Sequence, residues 1–412
     1  MAKLLVFSNA HALAHVSRPL EVARILRNRG DELVFAGLGK YLAVAADEGF
    51  RTVSLPYVTA DRVVEAVRSG RLDRLYPWRD ILGFVEAERA LIEEERPDLV
   101  LIDNRPSAAI SAEASGIGSV AILNVHMSQS KAIPFNPLPL PDALRSRFPF
   151  RQAELLENLL EAFFLDRLVM KDLGRLRKKL GLKRRFGFAF EEGDFNLFAD
   201  LPEFNPVRRL PDNARYVGPL TWHNDLPPPP ALERLGDKGR CLYFTIGSEG
   251  LGELIEQMRH FIDGDRLVIV ATGSEDIGLG ADLPDNLALE TFVNADRVLP
   301  HCDLIVCHGG NGTIYQALGH GVPIVGVAMH EEQFFGLKRV RALGVGLGFR
   351  IGELRKKGFG LLAAAIREVL ENPRYRENAR KFQALIRDNG DSAEKAANLI
   401  QGCLERSFPT KH

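Results

Sequence analysis

DLIVCHGGNGTIYQALGHGVPIVGVAMHEEQ runs from Asp303 to Gln333 and holds a complete strand–turn–helix–strand unit. The apolar run Leu304–Cys307 is too short for a helix and reads as a strand buried on both faces of a parallel sheet. His308-Gly309-Gly310-Asn311-Gly312-Thr313 follows directly. Ile314 to Leu318 then carries helical spacing, Gly319 and Gly321 close it, and Val322 to Val327 is the next strand. The glycine turn therefore lies at the carboxyl end of a parallel strand, where open α/β sheets bind ligands.

The chemistry of that turn favours an anion. Glycines let backbone N–H groups face outward and let a ligand approach closely. The helix that begins there adds unpaired amides and the positive end of its dipole. His308 and Thr313 bracket the turn with a switchable donor and a hydroxyl, an arrangement suited to a diphosphate. No lysine follows the last glycine, so this is not a P-loop, and the glycine spacing is not that of the dinucleotide fingerprint. A glycine-rich connection without a ligand would use the same residue types.

The H-G-G-N-G-T turn, Gln316-Ala317-Leu318, Gly321-Val322-Pro323 and Glu332-Gln333 together resemble the donor signature of family-one, UDP-glycosyltransferase-like and macrolide-glycosyltransferase-like enzymes. The order and spacing of four separate elements match. The resemblance implies that His308, Gly310, Asn311, Gly312 and Thr313 hold the diphosphate of a nucleotide sugar. It implies also that Glu332 and Gln333 hold sugar hydroxyls. It spans nearly the whole chain, most strongly at 304–333.

The chain has 412 residues, enough for about two domains. Its formal net charge of −1 gives no electrostatic case for nucleic acid. Cys241, Cys302, Cys307 and Cys403 lack metal-binding spacing and fit a reducing compartment. The N-terminus starts with a strand rather than a signal peptide, and no apolar run approaches the roughly 20 residues of a membrane span. The expectation is a cytoplasmic protein.

In the N-terminal half, Lys3–Phe7 reads as a buried strand, followed by a His-bearing turn and an apolar helix face (Leu20, Ala23, Ile25, Leu26) that Gly30 ends. Ala14-His15-Val16-Ser17-Arg18-Pro19 resembles the family's Gly-His segment, with Ala14 in place of the glycine and Pro19 one residue late. The resemblance makes His15 the general base, and His11 is the competing candidate. The strand Leu99–Ile102 ends at Asp103. The family pattern pairs that residue with the histidine, where a carboxylate fixes the ring tautomer and stabilises the imidazolium. Capping the next loop or helix is the alternative role for Asp103.

The proline-rich stretch from Leu123 to Phe150 reads as a loop around an acceptor pocket, with Val125, His126, Met127, Phe135, Phe148 and Phe150 as wall candidates. Helical spacing returns through Leu155, Leu159, Phe163, Leu168 and Leu176, and reads as an ordinary core-facing stripe. Asp166–Arg185 carries nine Lys or Arg and two acids before the aromatic run Phe186–Phe190. A solvated basic face beside a buried stripe accounts for this. Contact with an anionic membrane is the less favoured reading.

Proline-rich crossings at 202–211 and 227–230 suggest a linker. The expected division is 1–218, a linker at 219–239, a second domain at 240–385, and a C-terminal helix at 386–412 returning to the first. Ile246-Gly247-Ser248 resembles the family's Gly-Ser turn, which places Ser248 near the donor. Phe292 and Val293 stand where plant members stack a Trp on uracil, so the aromatic face is smaller, and Asn294 and Ala295 replace a Pro and a Gln. Gln316 replaces a ribose-binding Glu. Asp263-Gly264-Asp265 has an acid-x-acid spacing but fits a turn better than a metal chelate.

The resemblance as a whole implies an α/β chain of GT-B architecture, two Rossmann-like domains facing across a cleft. The implied reaction is inverting transfer from a UDP- or TDP-sugar to a small, hydrophobic acceptor, with no metal and no cofactor beyond the donor. A lipid-acceptor transferase, a nucleotide-sugar epimerase and a non-catalytic relative share that architecture, which alone does not separate them.

Overall fold

The computed structural model describes residues 1–69, 71–135, 150–235, 240–245, 266–272 and 285–405. The chain divides into two compact units: Met1–Leu220 with Asp391–His412, and Thr221–Gly390. Each is built on one parallel sheet.

The first sheet has seven strands: β1 (Lys3–Ser8), β2 (Glu32–Gly37), β3 (Arg51–Ser54), β4 (Leu99–Asp103), β5 (Ser119–Leu123), β6 (Phe195–Phe198) and β7 (Ala214–Tyr216). Their spatial order is β3-β2-β1-β4-β5-β6-β7. Strand order reverses between β1 and β4, and there Ser8 is in register with Asp103. Alternate residues of β1 feed two cores. Leu4 and Val6 pack with Val16 and Leu20 of the helix Ala14–Asn28. Leu5 and Phe7 pack with Leu91, Ile92 and Ala108 on the other face. Burial on both faces explains why the central strands β1, β4 and β5 read as nearly continuous apolar runs.

The second sheet comprises β8 (Arg240–Thr245), β9 (Arg266–Ala271), β10 (Leu287–Glu290), β11 (Cys302–Cys307), β12 (Ile324–Ala328) and β13 (Gly346–Arg350). Their order is β10-β9-β8-β11-β12-β13, and all pairs are parallel. Order reverses between β8 and β11, with Thr245 opposite Cys307. The His308 turn leaves the sheet at that reversal, the usual ligand position in a doubly wound sheet.

Helices Gly360–Glu371 and Pro373–Asn389 close the second unit, and Ser392–Glu405 joins the first. There Ala396, Ala397, Ile400 and Cys403 complete the core beside the helix Ala14–Asn28.

One element turns opposite to expectation. The helix Phe150–Leu168 does not direct Leu155, Leu159, Phe163 and Leu168 into a core; all four are exposed. Glu157, Asn158 and Glu161 are buried instead. The reason is polar: Lys131 is buried and pairs with Glu161 at 2.7 Å, and Asn158 donates to the Ala132 carbonyl at 3.0 Å. A charge held out of water needs its partner beside it, and that requirement sets which face points inward.

Candidate active site

The helix Ala14–Asn28 starts in the loop after β1 and carries His15 on its first turn. Pro19 removes the N–H that would otherwise bond the His15 carbonyl. His15 Nδ1 lies 2.7 Å from Oδ1 of Asp103, whose side chain is fully buried at the end of β4. An ionised carboxylate only accepts, so Nδ1 carries the proton and Nε2 keeps the lone pair. His11 is committed elsewhere: its Nε2 donates to the Val58 carbonyl at 2.8 Å.

A residue to which sequence reasoning assigned no role completes this group. Arg18 grips Asp103 with two bonds, Nε to Oδ2 at 3.0 Å and Nη2 to Oδ1 at 2.5 Å. Its Nη1 donates to Asn124 Oδ1, and Asn124 donates to the Ala199 carbonyl just past β6. Nη2 also lies 3.0 Å from His15 Nδ1, but both are donors, so Asp103 is the acceptor they share. The signal was present: Arg18 is three residues from His15, and i,i+3 residues share a helix face. Asn104, with φ of 52°, turns the chain sharply after Asp103 and accepts from Asn9, tying the β4 loop to the β1 loop.

In the second unit, the helix Asn311–Gly319 begins directly behind the glycine turn, with Gly310 as its N-cap. First-turn amides have no intrahelical acceptor. Gly309 has φ of 90°, and a Cβ there would meet Leu337 at 2.7 Å. At Gly310 a Cβ would lie 2.4 Å from His308 Nε2, so the imidazole lies directly against the turn backbone. At Gly312 a Cβ would meet nothing within 4 Å. The space over the helix start is open, while Asn311 and Thr313 are partly exposed beside it. Cys307 next to His308 is no nucleophile, because burial pushes its thiol up to about 12.

Phe292 is exposed and Val293 is buried. Gln316 donates its amide to the Trp222 carbonyl at 3.0 Å and so anchors the entry segment of this unit. Asn294 and Asn224 hold the same segment through backbone carbonyls of each other's strand of chain. Glu332 is exposed, whereas Gln333 is buried and accepts from the Met329 N–H at 2.8 Å, fixing the turn after β12. Ser248 and Asp263–Asp265 lie outside the described residues, as do Phe148 and the side chain of Phe150. Of the acceptor-wall candidates, Val125 and His126 are buried, and His126 stacks on Phe135. Among the described residues, no group of three or more His, Cys, Asp or Glu side chains is arranged to hold a metal ion.

Residues 254–403 match the family described as Erythromycin biosynthesis protein CIII-like, C-terminal domain. A PGL/p-HBAD biosynthesis glycosyltransferase of Mycobacterium tuberculosis is 30% identical over 385 residues, covering 92% of this chain and 87% of the relative. A PGL/p-HBAD biosynthesis rhamnosyltransferase of Mycobacterium bovis is 30% identical over 407 residues, covering 97% and 88%. Among solved structures, CalG4, the calicheamicin glycosyltransferase, superposes with a TM-score of 0.73 at 20% identity, covering 99% of this chain and all of that one.

Proposed function

Because this chain belongs to the family-one, erythromycin-CIII-like glycosyltransferases of GT-B fold, we propose that it transfers a sugar, with inversion, from a UDP- or TDP-sugar to a small hydrophobic acceptor. The observation that carries this reading is the His15–Asp103 pair at the strand-order reversal of the first sheet. His15 Nε2 takes the proton from the acceptor hydroxyl. Asp103 holds the tautomer and balances the imidazolium as it forms. The oxygen attacks the anomeric carbon, the bond to the nucleotide diphosphate breaks, and the diphosphate leaves with its charge. That charge meets the amides of Gly310–Thr313, the helix dipole and His308. Stabilisation aimed at the leaving group lowers the barrier itself, beyond what donor binding does. The reaction so drawn routes the leaving charge to these protein donors and uses no metal. Exposed Glu332 is the sugar-facing residue of this reading, with buried Gln333 supporting its turn.

The test is a mass-spectrometric screen of nucleotide sugars against pooled acceptors, followed by kinetics on the pair that reacts. His15→Ala and Asp103→Asn should each lower kcat about 10²-fold or more, with donor binding retained. Near-normal kcat in His15→Ala would remove His15 as the base.

A further inference from the structure

We propose that the outward face of the helix Phe150–Leu168, with its basic surroundings, is a docking surface for an anionic lipid bilayer. The helix is amphipathic with its faces reversed. From Leu155 onward its exposed residues are Leu155, Leu159, Phe163, Phe164, Arg167 and Leu168, five of them apolar and 42–54% exposed. Its buried residues in that span are Glu157, Asn158 and Glu161, all polar. Exposed apolar side chains scattered singly are ordinary; a contiguous helical face of Leu and Phe is not.

The orientation is held from below. Glu161 pairs with buried Lys131 and accepts from the Phe135 N–H, while Asn158 bonds the Ala132 carbonyl. Rolling the leucines inward would strand a buried cation, so the apolar face stays out. Phe186, 39% exposed, extends the patch, because Gly187 sits against Ala162 of the same helix.

The charge around the patch chooses the occupant. The guanidinium of Arg167 lies over the Phe163 ring, and Arg184 reaches the same helix at Asp166. Lys171, Lys178 and Lys183 are exposed nearby in sequence. Glu157 and Glu161 are turned inward and Asp166 pairs with Arg184, which leaves an apolar ridge flanked by the cations of Arg167 and Arg184. That combination lies in the plane of an anionic membrane, leucines and phenylalanines in the acyl boundary and the cations at the headgroups. A second copy fits less well. A two-fold contact through this patch would set the basic rims against each other. No described helix is long and apolar enough to cross a membrane, so the contact proposed is peripheral.

Flotation with vesicles of phosphatidylcholine alone, and of equal phosphatidylcholine and phosphatidylglycerol, tests this on the full chain. The protein should float with the anionic vesicles and not with the neutral ones. Partitioning should fall at least about tenfold in Leu159→Asp/Phe163→Asp. It should fall similarly in Lys178→Glu/Lys183→Glu, and in about 1 M salt, where charges are screened beyond about 3 Å. All four positions are exposed, and equal thermal melting will show that the variants fold. His15→Ala should bind vesicles like the wild type, since docking does not depend on the transfer chemistry. The proposal is overturned if anionic vesicles are not bound, or if neither double variant loses binding. It is equally overturned if sedimentation velocity shows a dimer that Leu159→Asp/Phe163→Asp dissolves.

Discussion

Arg18 determines how Asp103 can serve His15. Asp103 is fully buried, and its two oxygens are shared by one guanidinium and one imidazole. Without Arg18, the carboxylate would keep a single neutral partner in a site that water does not reach. Breaking a buried charge pair in this way costs about 3–5 kcal/mol unless the remaining charge is neutralised by a proton. A neutral Asp103 would accept only weakly from Nδ1 and would no longer balance the charge of the imidazolium as it forms. Arg18→Met should therefore lower both Tm and kcat, with kcat down about tenfold or more while the KM for the donor stays near wild type. Arg18→Lys keeps the charge but not the two-pronged grip, and should recover part of kcat. A fall in donor affinity with unchanged kcat would show that Arg18 acts on binding and not through Asp103. The family pattern marks His15 at the helix start after β1 and Asp103 at the end of β4, and that is why the pair could be named from the sequence. Arg18 was quoted within that same motif, yet its role depends on Asn124 and Asp103, which lie 106 and 85 residues away. Only the folded sheet brings those strand ends together.

At the scale of elements, the glycine turn and the helix behind it make separable predictions. Gly312 stands on the first turn with open space around a would-be Cβ. Alanine is the better helix former by about 1 kcal/mol, so Gly312→Ala should leave Tm equal or slightly raised. If the turn holds the diphosphate as proposed, the same methyl would crowd a phosphate oxygen approaching the amides, and affinity for nucleoside diphosphate should drop. Calorimetry that finds unchanged affinity in Gly312→Ala and in His308→Ala would remove this turn as the diphosphate site. If the amides and His308 carry the leaving charge, activity should persist in EDTA. Loss in EDTA with recovery on adding Mg²⁺ or Mn²⁺ would overturn that. Strand, turn and helix at 302–319 were readable because short apolar runs, a glycine cluster and 3.6-residue spacing each have one local physical meaning. The helix Phe150–Leu168 was readable as a helix but not in its orientation. Periodicity announces two faces, and the partner elements decide which one is covered. Here a lysine at 131 made that decision. Gln316 and Gln333 show a related limit. Their spacing matches donor contacts, but each amide also bonds a backbone group of its own unit.

At the scale of the whole molecule, the C-terminal segment makes the first unit discontinuous in sequence. The chain leaves that unit after Leu220 and comes back to it at Asp391. The returning helix Ser392–Glu405 buries Ala396, Ala397 and Ile400 completely, in the same cluster as Val16, Leu20 and Leu4. Arg29 adds bonds to Gln401 and Glu394. Since Leu4 lies on β1 and Val16 and Leu20 on the helix that begins with His15, this remote segment supports the scaffold beneath the proposed base. Ile400→Ala should cost about 2–5 kcal/mol, because the surrounding side chains can only partly close the cavity. A domain is stable by only about 5–15 kcal/mol, so that loss is a large fraction of what the first unit has. Contacts of Ile400 lie within the first unit's core, which gives the prediction a direction in space. Hydrogen exchange in Ile400→Ala should speed up in peptides from β1, β4 and β5. Peptides from β11, β12 and β13 should keep their protection, because none of their core contacts has been touched. Donor binding, placed here in the second unit, should survive at temperatures where turnover has already failed. Uniform acceleration of exchange across both sheets would show instead that the two units unfold as one cooperative body.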